Sequence, residues 1–124
     1  MNAPVTRTDC WTRGGTRLVY QQCAGCGRRW LFQRFFCPHC GRQDPEHRAF
    51  AGTGTVCASS LVHRAPDDVF RALAPYRLVL VELDEGLRLM AHAATEVRVG
   101  QRVRGEVRTI AGRAMPYFTQ EPSP

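Results

Sequence analysis

The sequence predicts a mainly β protein with two parts, a cysteine-rich N-terminal module followed by a small five-stranded barrel. Two Cys-x-x-Cys pairs lie close together before residue 41. After residue 50 come short apolar runs that are interrupted by glycine. With 124 residues, the chain is long enough for one compact domain or for two small modules. We therefore expect residues 1–49 to form the cysteine-bearing module and residues 50–124 to form the barrel.

The two cysteine pairs have the spacing of a four-thiolate metal site. They are separated by ten residues and consist of Cys23, Cys26, Cys37 and Cys40. A glycine follows each pair, and glycine tolerates the left-handed backbone that such a turn requires. Four cysteine ligands are typical of a structural Zn²⁺, and they leave no coordination position for an activated water. We therefore expect these cysteines to hold a structural zinc ion.

Other uses of the cysteines fit this sequence less well. A rubredoxin-type iron site has the same pairs far apart in sequence, whereas a ten-residue spacer builds only a short ribbon. A disulfide scaffold is typical of secreted proteins, and the N-terminus lacks the apolar core of a secretory signal. The longest apolar-rich run, residues 78–83, is too short to span a membrane. We therefore expect a cytoplasmic protein in which Cys10 and Cys57 are ordinary thiols.

The expected strands of the barrel follow one another from residue 51. Residues 51–63 form a long β-branched and apolar run, and residues 77–93 indicate two strands joined by a tight turn at 84–86. Two further strands are expected at 102–110 and 115–120. Before the second strand, the stretch beginning at Asp67 indicates a helical turn. Five short strands with glycine at their bends are typical of a small closed barrel.

The net charge of +6 is concentrated in the N-terminal module. Every Lys or Arg side chain is arginine, since the chain has no lysine. Residues 1–48 hold 8 arginines and 3 acids, whereas residues 49–124 hold 9 arginines and 8 acids. Residues 1–48 therefore carry five more positive than negative side chains. One divalent metal bound by four thiolates changes this net charge by −2, which leaves about +3. This charge favours an anionic partner for the N-terminal module.

Four aromatic side chains lie between the cysteine pairs, namely Trp30, Phe32, Phe35 and Phe36. So short a ribbon has too little interior to bury all of them alone. We expect them to pack on the barrel and on Trp11. The alternative is that some of them form a surface for another protein chain.

The order of these motifs resembles the DUF35 family, which joins a rubredoxin-like zinc ribbon to an OB-fold. The resemblance covers nearly the whole chain and rests on CxxCG and CPxCG, with Arg34 three residues before the third cysteine. After them come Phe50, GTGTV (52–56), Pro-Tyr (75–76), VELDEG (81–86) and VGQRV (99–103). The chain departs from the family at Gln33, where a proline is usual, and in its closing segment MPYFTQEP. The resemblance implies that residues 50–124 form an OB-fold barrel.

The same resemblance implies a non-catalytic accessory subunit of an acyl-CoA enzyme complex. Its partner would be a thiolase-fold enzyme that makes or breaks a C–C bond beside a thioester, and the two chains would form a hetero-oligomer. A coenzyme A thioester would be bound in the complex, where we expect Arg28, Arg29 and Arg34 to attract its phosphates. No spacing in the sequence unites an acid, a base and a nucleophile, so we assign no catalytic residue.

Two alternative functions follow from the same observations. Zinc ribbons and OB-folds also serve as single-stranded nucleic-acid-binding modules, which the positive net charge permits. The nearly neutral barrel disfavours this role, because a strand-binding barrel carries its charge on the barrel face. The resemblance also allows a subunit of a MaoC-type enoyl-CoA hydratase complex.

Overall fold

The computed structural model describes residues 5–63 and 74–121. Two short 3-10 helices, Arg7–Asp9 and Trp11–Arg13, precede the strands. The strands are β1 (Val19–Gln22), β2 (Arg29–Trp30), β3 (Glu46–Ala49), β4 (Thr53–Val62), β5 (Tyr76–Leu83), β6 (Arg88–Ala93), β7 (Arg102–Ile110) and β8 (Arg113–Gln120). None of the described helices is long and apolar enough to cross a membrane.

The first three strands form an antiparallel sheet in the order β2-β1-β3. In the central strand β1, Gln21 lies opposite Trp30 on β2 and opposite His47 on β3. One cysteine pair lies between β1 and β2, and the other lies between β2 and β3. The sheet therefore brings the two cysteine-bearing turns to the same end of the module.

The other five strands form a closed barrel in the order β4-β5-β6-β8-β7, and β7 pairs with β4 to close it. The pairs are antiparallel except for β6 and β8, which run parallel where His92 lies opposite Tyr117. The long strand β4 pairs with β5 along most of its length, and a register shift between Val56 and Ala58 bends it. The bent strand β4 can therefore pair with β5 along one edge and with β7 along the other, which closes the barrel.

The structure confirms the mainly β class and the five-stranded barrel. The tight turn expected at residues 84–86 joins β5 to β6. The last strand begins two residues earlier than expected, at Arg113, because its partner β7 continues the ladder to Ile110. The helical turn expected from Asp67 lies outside the described residues.

One continuous hydrophobic core joins the N-terminal sheet to the barrel. Its buried members come from both parts of the chain: Cys10, Trp11, Leu18, Val19, Tyr20, Phe50, Val56, Val79, Val81, Leu83, Leu89, Ala91, Ala93, Val97, Val103 and Phe118. Tyr20 on β1 and Phe50 in the connection have ring centroids 4.6 Å apart. Inside the barrel, Phe118 is fully buried against Gly105, where an added Cβ would lie 2.5 Å from the ring. A side chain at that point of β7 would force the Phe118 ring or the strand to shift.

Candidate metal centre and aromatic surface

The four cysteines of the two pairs converge into one cluster of sulfur atoms. Their four Sγ atoms all lie within 4.8 Å of one another. Across the two turns, Cys23 Sγ lies 3.5 Å from Cys40 Sγ, and Cys26 Sγ lies 3.6 Å from Cys37 Sγ. No disulfide joins any of these described cysteines.

Each cysteine pair forms a turn whose backbone points at its first sulfur. Cys23 Sγ accepts the N–H of Gly25 at 3.3 Å and that of Cys26 at 3.4 Å. In the second turn, Cys37 Sγ accepts the N–H groups of His39 and Cys40, both at 3.4 Å. These donors stabilise negative charge on sulfur, which is the form that binds metal.

The glycine after each pair adopts the conformation that ends the turn. Gly27 has φ of 77° and Gly41 has φ of 82°, both in the left-handed region. Their N–H groups return to the carbonyls of Cys23 and Cys37, each at 3.0 Å. The two turns are therefore built alike, as their sequences CAGCG and CPHCG indicate.

The cluster fits a tetrahedral divalent metal. A zinc–sulfur distance of about 2.3 Å places the sulfurs of a tetrahedron about 3.8 Å apart. The 3.5 Å and 3.6 Å separations lie close to that value, so the side chains need to move only slightly. The donor set, four sulfurs with no oxygen or nitrogen ligand, is one that zinc prefers.

Backbone N–H groups, burial and the neighbouring thiols shift the pKa values of Cys23 and Cys26 in opposite directions. The N–H of Cys26, with those of its neighbours, lowers the pKa of Cys23 to about 6. The N–H of Arg28 lowers the pKa of Cys26, but burial and the neighbouring thiols outweigh it and raise that pKa to about 11. Four adjacent thiolates repel one another, and a bound cation removes that repulsion.

A buried glutamine fixes the loop between the two cysteine turns. Gln21 is 2% exposed, and its Oε1 accepts the indole N–H of Trp30 at 2.6 Å and the backbone N–H of Arg34 at 2.7 Å. Its Nε2 donates to the Arg34 carbonyl at 3.0 Å and lies 3.2 Å from His47 Nε2. One side chain thereby joins β1 to β2, to β3 and to the loop. Its only sequence signal is a polar pair after the apolar run LVY.

The loop that Gln21 holds exposes three phenylalanines. Phe32, Phe35 and Phe36 are 71%, 76% and 51% exposed, and we call them the aromatic surface. Our expectation that they pack on the barrel and on Trp11 is therefore wrong for these three. Trp30 is half-buried, and Trp11 itself is buried in the common core. The aromatic contact between the N-terminal sheet and the barrel is instead made by Tyr20 and Phe50, which both belong to the common core.

The three arginines expected near phosphates differ in their surroundings. Arg29 donates from Nη1 to the Glu85 carbonyl at 2.8 Å, and its guanidinium carbon lies 5.7 Å from the centroid of the Tyr20 ring. Arg28 and Arg34 are exposed, and neither forms an ion pair with a described residue. Arg29 therefore helps to hold the barrel, while the other two guanidinium groups face solvent.

The turn between β5 and β6 fastens the barrel to the N-terminal module. Besides accepting from Arg29, Glu85 accepts the N–H of Ala51 with its Oε2 at 2.9 Å. The neighbouring Asp84 forms an ion pair with Arg102 at 2.7 Å, and that guanidinium lowers the pKa of the carboxyl. The sequence pattern VELDEG predicted this turn, but it did not predict the contacts between the turn and the N-terminal module.

The polar residues of the barrel form no described catalytic group. His63 and Glu82 are exposed, and Asp67 and Asp68 lie outside the described residues. His92, which sequence reasoning did not single out, is 6% exposed, and burial lowers its pKa. Its ring centroid lies 5.4 Å from that of Tyr76, so it is part of the packing between β5 and β6.

Comparison with known proteins agrees with both parts of the fold. Residues 11–46 match the family model for the ChsH2 rubredoxin-like zinc ribbon domain, and residues 47–108 match the model for the ChsH2 C-terminal OB-fold domain. A solved chain from the Ltp2–ChsH2(DUF35) aldolase superposes with a TM-score of 0.74 at 28% identity, over 96% of this chain and 98% of that one.

Two curated relatives extend the comparison. A DUF35 domain-containing scaffold protein of Methanocaldococcus jannaschii is 34% identical over 75% of this chain and 69% of its own length. A probable enoyl-CoA hydratase alpha subunit of Thermomonospora curvata is 37% identical over 70% of this chain. The matched region spans only 28% of that second protein. With a cysteine-bearing ribbon, a five-stranded barrel and these matches, the chain belongs to the DUF35 family of zinc ribbon and OB-fold proteins.

Proposed function

We propose that this chain is a non-catalytic accessory subunit of an acyl-CoA enzyme complex, and that the aromatic surface docks on the partner enzyme. The observation that carries the proposal is the exposure of Phe32, Phe35 and Phe36 on a loop held by Gln21. Exposed aromatic side chains on a fixed loop lose little conformational entropy when they bind. Aromatic residues are also enriched at the centres of protein interfaces.

The expected partner is a thiolase-fold enzyme that acts beside a thioester carbonyl. The structural relative at 28% identity is a DUF35 chain within an aldolase. The aromatic surface lies beside the exposed Arg28 and Arg34 in sequence, so it suits a partner with apolar pockets and acidic groups at their rim. The proposed assembly is a hetero-oligomer in which the partner enzyme covers part of the exposed aromatic surface.

The metal ligands in this proposal are Cys23, Cys26, Cys37 and Cys40. Four protein sulfurs would close the coordination sphere of Zn²⁺, so the ion would hold the two turns together and take no part in chemistry. Phe35 and Phe36 directly precede the second turn. The metal would therefore support the aromatic surface from one side while Gln21 supports it from the other.

A coenzyme A thioester is the ligand that we propose for the complex, with its phosphates near Arg28 and Arg34. Both guanidinium groups face solvent without a described acidic partner. Arg29 is the third arginine proposed near the phosphates, but its bond to Glu85 and its position over Tyr20 leave its guanidinium less free to bind one. It contributes positive charge more weakly than Arg28 and Arg34.

Co-expression with a thiolase-fold enzyme tests the docking proposal. The two chains should co-purify at a fixed ratio, and Phe35→Ser should weaken the complex at least tenfold. Met90→Ser provides a matched control, since Met90 is 68% exposed on the barrel strand β6. Wild-type affinity in the Phe35 variant would contradict the proposal, as would equal weakening by both substitutions.

A MaoC-type enoyl-CoA hydratase is the second candidate partner. The observation in its favour is the Thermomonospora curvata relative, whose name is a probable enoyl-CoA hydratase alpha subunit. The same co-expression with a hydratase in place of the thiolase-fold enzyme distinguishes the two. The enzyme that forms a stable complex only with the intact aromatic surface is the partner.

A further inference from the structure

The four clustered cysteines differ in their exposure to solvent. Cys26 and Cys40, the second cysteine of each pair, are exposed, whereas Cys23 and Cys37 are only 2% and 1% exposed. The Sγ atom of each buried cysteine also accepts two backbone N–H bonds from its own turn. Oxidation of cysteine follows thiolate character and exposure, so an oxidant in solvent meets the two exposed cysteines first.

We propose that the centre is an oxidation site, at which peroxide oxidises an exposed cysteine and a disulfide then closes across the two turns. The Sγ atom of the exposed Cys40 lies 3.5 Å from that of the buried Cys23, and the Sγ atom of the exposed Cys26 lies 3.6 Å from that of the buried Cys37. A disulfide bond is about 2.0 Å long, so either pair needs only a short approach. The inference rests on the zinc site of the proposed function.

The chemistry is balanced with hydrogen peroxide as the oxidant. The thiolate of Cys40 attacks the peroxide, the O–O bond breaks, a sulfenic acid forms and hydroxide leaves. The thiolate of Cys23 then attacks the sulfenic sulfur, the S–S bond forms and a second hydroxide leaves. The two sulfurs are oxidised by two electrons in total, and the peroxide is reduced to two hydroxide ions. Metal binding would hold Cys26 as a thiolate as well, so the pair Cys26 and Cys37 would react in the same way.

A disulfide across the turns leaves too few thiolates to hold the metal. Two of the four sulfur donors are lost, and zinc affinity falls because a closed four-coordinate site no longer exists. Phe35 is tied to the segment that follows the second turn, since its carbonyl accepts the N–H of Asp44 at 3.3 Å. Oxidation therefore also loosens one side of the aromatic surface.

Peptide mapping tests whether a disulfide joins the two turns, because cleavage after arginine places the turns on separate peptides. Residues 18–28 carry Cys23 and Cys26, and residues 35–42 carry Cys37 and Cys40. The zinc content of the purified full chain is measured first, the protein is then treated with a small excess of hydrogen peroxide, and zinc release is followed with a metal-sensitive dye. We expect one zinc ion released per chain and the two peptides joined by a disulfide.

The control variant is Cys57→Ser, which removes a half-buried thiol on β4 outside the cluster. It should release zinc at the wild-type rate, and a loss of release in this variant would overturn the inference. Retention of zinc under peroxide, or a disulfide within one peptide, would overturn it while leaving the zinc site intact. Purified protein without zinc would overturn the metal site and this inference together.

Discussion

Replacing Gln21 with methionine tests whether one buried amide fixes the loop that carries the aromatic surface. Methionine has nearly the same length and volume, so Gln21→Met removes hydrogen bonds without leaving a large cavity. The bonds lost are those to the Trp30 indole, to the Arg34 N–H and carbonyl, and to His47. Arg34 is exposed and its backbone can turn to water, whereas the groups of Trp30 and His47 are half-buried.

The expected cost follows from these four contacts. A typical intramolecular hydrogen bond contributes about 1 kcal/mol net, and a buried group left unsatisfied costs about 1–3 kcal/mol. With two of the groups able to find water, we expect the free energy of unfolding to fall by about 3 kcal/mol. Chemical denaturation of the zinc-loaded protein measures this value, and hydrogen exchange at the Arg34 amide should become faster at the same time.

The neighbouring Gln22→Met is the matched control, because Gln22 lies on the same strand and is only half-buried. We expect its effect to stay within about 0.5 kcal/mol, as is usual for substitutions away from such networks. If both variants lose the same stability, or if the Arg34 amide exchanges at the wild-type rate in Gln21→Met, the reasoning about this network is refuted.

Three further outcomes are expected. Chelation of the metal should lower the thermal midpoint of the whole chain, with barrel and ribbon signals moving together in calorimetry and circular dichroism; an unchanged midpoint would argue against a structural metal. Gly105→Ala should lower the free energy of unfolding by about 2 kcal/mol, because its Cβ would lie 2.5 Å from the Phe118 ring, while the exposed Thr109→Ala on β7 should change little. Burial lowers the pKa of His92, so below about pH 6.5 this imidazole is protonated in the unfolded chain and stays neutral in the folded chain. Stability should therefore fall from pH 7 towards pH 5, less so in His92→Gln than in the exposed-site control His63→Gln, and equal slopes would contradict this role.

The barrel could be predicted from the sequence because its signals are local. Apolar alternation in residues 77–93 and the turn residues at 84–86 fix β5 and β6 without reference to the rest of the chain. The cysteine cluster could be predicted for the same reason, since spacing and the glycines Gly27 and Gly41 specify two turns. These features depend on residues only a few positions apart.

The position of the aromatic surface could not be predicted in this way. Whether Phe32, Phe35 and Phe36 face the barrel or solvent depends on how the ribbon sits on the barrel, and that is set by long-range contacts. One such contact is the hydrogen bond between Arg29 and Glu85, which are 56 residues apart in sequence. Another is the ring contact between Tyr20 and Phe50, where the N-terminal sheet meets the barrel. The role of Gln21 could not be predicted either, because a polar residue on a strand usually indicates an exposed face. This glutamine is instead buried, and both its amide oxygen and its amide nitrogen form hydrogen bonds.

The shared core of sheet and barrel has a consequence for how the chain can be cut or joined. Tyr20 and Val19 complete the packing that begins in the barrel, so neither half has a finished interior by itself. We expect a single cooperative unfolding transition rather than two, and we expect either fragment, expressed alone, to be poorly folded. Fusion partners therefore belong at the ends of the chain, and an insertion after residue 49 would separate surfaces that fold as one.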